Sequence, residues 1–204
     1  FSSTATTLSV RSGSFSSTFI SLFLCTIDRV FLPFDTSSIP GSATISAATL
    51  NVYAVSKTNT DNDGTDFLTV TQTSQATHTV LANADYDQCG AISNPTEGVD
   101  SGQRKDITSV TTSAYLIFTL NSTGMGWIKK SGQASACTAT TGVTCLGVRE
   151  GHDVTNSAII SGFDVVAENL VSLSSSEHTG TSQDPYLSVT YSTGQPVLWQ
   201  MWEF

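Results

Sequence analysis

Helical periodicity is nearly absent from this chain, and that constrains it more than any other feature. The ordered-looking runs are dominated by Val, Ile, Thr, Phe and Tyr, and turn residues interrupt them about every ten residues. The run Ala48-Thr49-Leu50-Asn51-Val52-Tyr53-Ala54-Val55 alternates strictly. It places Leu50, Val52 and Ala54 on one face of a strand and Asn51, Tyr53 and Val55 on the other. Strands are expected over 5–11, 18–27, 29–34, 43–56, 67–73, 114–120, 144–149, 159–166 and 185–191. That number suits two packed antiparallel sheets, and the class is all-β, a sandwich with one or two short helical turns. Ser122 is placed to cap a turn carrying Met125, Trp127 and Ile128 up to Gly132, and 74–85 offers a second helical stretch. Residues 1–192 form the sandwich and 193–204 an apolar strand or tail.

At 204 residues the chain is long enough to bury a real core without staples. Its net charge of −9 repels phosphate backbones and anionic lipid, so neither nucleic acid nor a membrane surface is expected as a partner. Only 12% of residues are charged, whereas about 30% are Ser or Thr, giving a hydroxyl-covered surface. The most apolar stretch, 19–34, runs about nine residues before Asp28 and Arg29 interrupt it, against the roughly 20 a membrane helix needs. Phe1 follows no basic or apolar leader and reads as a processed or trimmed start.

The four cysteines form no CxxC pair and have no His at zinc spacing. Cys137 and Cys145 flank a Gly-containing loop, and a disulfide there would contribute about 2.5 kcal/mol in the chain-entropy model. Cys25 and Cys89 are the other pair. Their union would close a long loop, contributing about 4 kcal/mol, and the alternative is two buried free thiols. An even cysteine count in an acidic, hydroxyl-rich chain favours an oxidising, extracellular setting. The Asn121-Ser122-Thr123 sequon, with Asn121 as acceptor for glycosylation, agrees with that setting.

Four segments together resemble the jelly-roll modules called DNRLRE-type domains, found on secreted bacterial proteins, large surface proteins and phage structural proteins. The resemblance spans roughly residues 28–192. Its most specific part is Asp28-Arg29-Val30-Phe31-Leu32-Pro33-Phe34-Asp35, then Ser37-Ser38-Ile39-Pro40 and the paired strand that ends at Tyr53. Ala84-Asp85-Tyr86-Asp87-Gln88-Cys89-Gly90 is similar to a turn of phage-associated members, usually without the cysteine. Phe118 to Gly124, Trp127 and Leu146-Gly147-Val148-Arg149 match a strand, a helical turn and a Leu-Gly-Leu-Arg strand, with the cysteine loop as a local insertion. Ser174 to Glu177 and Asp184 to Tyr191 resemble the closing strand. The resemblance implies a scaffold role and, in some members, carbohydrate binding. It gives Arg29, Asp35 and Glu177 architectural roles, tying loops to strand ends.

No GxSxG, HExxH, P-loop or paired-carboxylate motif occurs, and His78, His152 and His178 lie in polar contexts without a nucleophile pattern. His152-Asp153 reads as a turn with solvated charges. Asn59, Asp61, Asp63 and Gly64 occupy the first, third, fifth and sixth positions of a calcium loop, but Val70 stands where a bidentate Glu is needed, so a polar hairpin tip is the better reading, a weak extracellular calcium site held by Asn59, Asp61 and Asp63 is the alternative, and no other cofactor is expected. Trp127, Tyr86 and Tyr115 are the aromatic candidates for stacking on sugar rings. In the tail, Val197, Trp199 and Met201 alternate with Leu198, Gln200 and Trp202, and Phe204 follows. Such a strand either docks on its own sandwich or forms an assembly interface with other subunits. The expectation is a non-enzymatic structural or adhesive module, displayed on a virion or cell-surface appendage and assembling through its apolar terminal segments into a homo-oligomer or fibre. The alternative is a carbohydrate-binding module recognising a polysaccharide.

Overall fold

The computed structural model describes residues 6–17, 22–60, 63–159 and 166–194. It is an all-β sandwich of two antiparallel sheets, as the alternation predicts. Among the described residues ten strands run β1 Thr7–Ser17, β2 Leu22–Asp28, β3 Val30–Asp35, β4 Thr44–Asn59, β5 Phe67–Gln72, β6 Lys105–Asp106, β7 Ala114–Thr119, β8 Val143–Glu150, β9 Val166–Ser174 and β10 Tyr186–Ser192. The smaller sheet has the order β3-β8-β5-β6, and the larger one β10-β4-β9-β1-β2, with β7 also paired to β4.

The sixteen-residue β4 organises the larger sheet. Leu50 is paired to both Phe118 of β7 and Leu187 of β10, which therefore lie on opposite sides of it. Ala54 is likewise shared between Ala114 of β7 and Leu173 of β9. Hence β9 and β10 lie end to end along one side of β4, and β7 along the other. Leu50, Val52 and Ala54 face the core with Leu116, Phe118, Val171 and Leu173, against Leu68, Val70, Leu146 and Val148 of the facing sheet. Removing this apolar surface from water is the main drive for the two layers to close.

Two strands were hidden by hydroxyl and amide groups on the core face. In β1, Ser12 and Ser14 are buried, and Ser14 Oγ donates to the Ile159 carbonyl at 2.8 Å. The strand therefore runs past Arg11 to Ser17, beyond the expected 5–11. In β9, fully buried Asn169 lies between Ala167 and Val171, breaking the apolar alternation. The described strand covers Val166–Ser174, and of the expected strand 159–166 residues 160–165 lie outside the described residues. The helical expectations also shift. The turn α1, Ser122–Gly126, is capped by Asn121, whose Oδ1 accepts from the Gly124 amide at 2.9 Å, and not by Ser122. Instead of a helix over 74–85, a 3-10 turn forms at Asn83–Gln88, with Asp85 accepting from the Ala76 and Ala82 amides.

Cys137 and Cys145 form the expected disulfide, with Cα atoms 5.9 Å apart. Cys25 and Cys89 do not pair, which corrects that alternative. Cys25 is exposed on β2, at one margin of the larger sheet, while Cys89 is buried behind the smaller sheet beside Thr71 and Gly147. Among the described residues no helix is long and apolar enough to cross a membrane.

Gly147 leaves the space that Cys89 fills: a Cβ there would sit 2.5 Å from Cys89 Sγ and 2.8 Å from the Val30 carbonyl. Overpacking between backbone and a buried side chain costs about 1–3 kcal/mol. Gly147→Ala should lower unfolding stability by about that amount in urea titration, and Gly102→Ala, whose Cβ meets nothing within 4 Å, should change it little.

Candidate functional site

β8 is buried along its whole length, flanked by β3 and β5 and covered on both faces. Its last two residues are charged, and both are fully buried. Glu150 caps the next turn, α2 Gly151–Thr155, by accepting from the His152 amide at 2.8 Å. The turn thus folds its own side chains back onto the strand end. His152 and Asp153 are consequently buried, not the solvated turn the sequence implied.

Asp153 is held by two arginines. Arg29 grips its carboxylate with two bonds, Nε at 2.9 Å and Nη2 at 2.6 Å, and Arg149 Nε adds a third at 2.6 Å. Arg149 also donates to the carbonyls of Cys89, Ala91, Ile92 and Asp153, so its planar fork fixes the 89–92 loop. Arg29 reaches the Tyr86 carbonyl at 2.9 Å and stacks over the Tyr86 ring at 4.4 Å. Burial alone would raise the Asp153 pKa, but hydrogen bonds and charge from Arg29 and Arg149 outweigh it and hold the carboxyl below its usual value of 3.8. Burial would likewise lower Arg29, yet bonding to Asp153 leaves its pKa raised.

A second cluster lies beyond α2. His152 Nδ1 faces Glu150 Oε1 at 3.0 Å, and Nε2 faces Thr65 Oγ at 2.8 Å, so an acid, an imidazole and a hydroxyl stand in line. Thr65 Oγ also donates to Asp63, whose carboxylate lies 3.5 Å from His152 Nε2. The Thr65 hydroxyl and amide hold the Asp63 pKa below its usual value. This arrangement fastens 63–66 to α2.

Of the calcium-loop residues, Asn59 gives its amide to Asp66 at 2.7 Å and Asp63 faces Thr65 and His152; Asp61 lies outside the described residues. Among the described residues no group of three His, Cys, Asp or Glu converges on one point. Asn121 uses both ends of its amide, Oδ1 accepting from the Gly124 amide and Nδ2 donating to the Glu97 carbonyl and Asp100, so a glycan on Nδ2 would displace one of those two donations. Asp35 accepts from the Ser37 amide at 2.9 Å, and Glu177 lines a groove. The tail residues Val197, Leu198, Trp199, Met201, Trp202 and Phe204 lie outside the described residues.

That groove, about 810 Å³, runs along β3 from Ile27 to Phe34 and is bordered by Leu8, Leu81 and Pro185. On the outer face of the larger sheet, Tyr115 packs edge-on against both Tyr53 and Tyr186, with ring centroids 5.3 and 5.2 Å away. Its hydroxyl donates to the Ser182 and Asp184 carbonyls. Composition gave no signal for this cluster. Register did, because Tyr53 and Tyr115 are cross-strand partners. Comparison of the chain with family models, with curated proteins and with solved structures gives no match.

Breaking a buried ion pair from one side costs about 3–5 kcal/mol, because the remaining charge stays buried. Asp153→Ala should therefore lose about that much stability in chemical denaturation. The lowered Asp153 pKa contributes stability that is present above the usual carboxylate value and lost as pH falls through the folded one. The unfolding midpoint of the native chain should drop below about pH 4, more steeply than that of Asp153→Asn.

Burial pushes the Cys89 thiol up to about 11, against the weaker pull of the Thr71 bond and the nearby arginines. A thiol reagent at pH 8 should modify one cysteine of the native chain, Cys25, and a second only after denaturation.

Proposed function

We propose that this chain is a non-enzymatic structural or adhesive surface module, displayed on a virion or cell-surface appendage and associating with copies of itself through apolar segments near its ends. The observation that carries the reading is β2. It pairs with β1 alone among the described strands, and its one charged residue, Asp28 at the end of the strand, is taken up by Arg11 at 2.9 Å. Leu24 is 51% exposed and Cys25 is exposed beside it. Natural edge strands are normally blunted by charge, proline or a bulge, and an apolar edge without them is a template for another chain. The buried charges add support, since Arg29, Arg149 and Asp153 are taken up in holding loops to strand ends. The disulfide is compatible with an extracellular location, and the resemblance to DNRLRE-type surface modules points the same way.

A carbohydrate-binding module is the second reading, favoured by the tyrosine row on the outer face, where Tyr186 is 45% exposed.

Light scattering of the full chain over a concentration series separates the two. Self-association that rises with concentration, and is abolished by Leu24→Lys without loss of fold, is the expected result. A chain that stays monomeric throughout overturns the structural reading. Binding of that monomer on a glycan array, lost in Tyr186→Ala, would establish the second.

A further inference from the structure

A row of buried polar side chains recurs at every second residue through β5 and just beyond it. Thr69, Thr71, Thr73 and Gln75 are each at most 2% exposed. The row is satisfied at one end only. Thr69 Oγ donates to Glu97 and Thr71 Oγ to the Cys89 carbonyl, whereas Thr73 Oγ and Gln75 Oε1 have no partner among the described residues. Most buried side-chain polar atoms of folded proteins are hydrogen-bonded, so two orphans in succession need a physical cause. Of the two, Gln75 lines the groove beside β3.

That groove has the size of a small-molecule site, at about 810 Å³. It is elongated, because the eight residues from Ile27 to Phe34 that border it cover about 23 Å at the rise of a strand. Leu8, Leu32, Phe34, Leu81 and Pro185 give it apolar walls. The charges around it narrow the class of ligand. Asp28 and Glu177 border the groove, and the Arg29 guanidinium is already held by Asp153 and the Tyr86 carbonyl, so an anion finds two carboxylates and no free guanidinium. His78, also at the border, has its Nδ1 against Thr138 Oγ at 3.0 Å. An ammonium reaching Gln75 would bury its charge against a neutral amide, and exposed Glu177 offers it little in return. A neutral hydroxyl needs only the one acceptor that Gln75 has to spare.

We propose that this groove binds a neutral, elongated apolar molecule ended by a hydroxyl, in chemical class a long-chain primary alcohol, whose O–H donates to Gln75 Oε1. The terminal amide torsion of a glutamine is broad, so Oε1 turns toward the groove without moving the backbone. The apolar body lies against Leu8 and Phe34, which are only partly buried and lose their remaining contact with water when the ligand is seated. The site is distinct from the β2 edge and from the tyrosine row, and rests on neither reading above.

Titration of the full chain with octanol, octyl methyl ether and sodium octanoate, followed by two-dimensional amide NMR, tests it. Octanol should shift the Leu8, Phe31 and Leu81 amides and the Gln75 side-chain amide along one saturation curve. It should bind about 10-fold more tightly than the ether, which has the same chain and no donor, and more tightly than octanoate. In Gln75→Leu the two neutral probes should bind alike. Should that variant fail to fold, the three probes on the native chain decide alone. Equal binding of octanol and its ether would overturn the proposal, since a Gln75 satisfied by water gains nothing from a donor. So would tighter binding of octanoate, shifts confined to residues outside the groove, or no saturable binding.

Discussion

The sandwich turns on a carboxylate held between two guanidinium groups. Asp153 lies at the end of the most enclosed strand, β8, and its two oxygens accept from Arg29 and Arg149. Two buried cations and one buried anion would be costly to leave in a core. Here the surplus positive charge is met by backbone carbonyls, four of them at Arg149 and one at Arg29. The network thereby joins the β2–β3 corner, the 3-10 turn, the 89–92 loop, β8 and α2. These segments are remote in sequence, and no apolar contact could set their mutual position with comparable geometric definition.

Much of this was legible in the sequence, and the misses share a cause. β4, β5, β7, β8 and β10 announce themselves by alternating or continuous apolar residues, and each was located to within a few residues. β1 and β9 put Ser12, Ser14 and Asn169 on the core side, where Ser14 bonds to the Ile159 carbonyl and Asn169 to Glu150. A periodicity reading counts such residues as polar and ends the strand too soon. The charge network was half visible. Arg29 could be assigned a loop-tying role by family resemblance, but its partner Asp153 looked like a solvated turn residue, because its burial is set by the packing of α2 against β8. The exposed tyrosine cluster was invisible for the same reason, since only strand register brings Tyr53 and Tyr115 together. The cysteine loop was readable because its constraint is local, and the fate of Cys25 and Cys89 was not, because it depended on which sheet each strand joined.

The two sheets manage their margins differently. β3, the margin of the smaller sheet, carries Pro33, and the Thr36 amide bonded to Gly142 fixes the parity so that Pro33 occupies a position facing away from β8. Its missing N–H therefore costs no ladder bond and blunts that edge. β2, β7 and β10 carry no proline. The asymmetry separates a margin blunted by its own sequence from margins that are not.

The pairing of β1 with β9 also has a bearing on how the chain folds as it is made. Thr7 meets Ser174 and Phe15 meets Val166, so β1 waits for the ninth of the ten described strands. β4 is in the same position, since two of its three partners, β9 and β10, come from the final third of the chain. Contacts this distant in sequence slow folding, because the entropy of closing the intervening loop is lost before any pairing repays it. During that interval the β1–β2 hairpin stands without its neighbour β9.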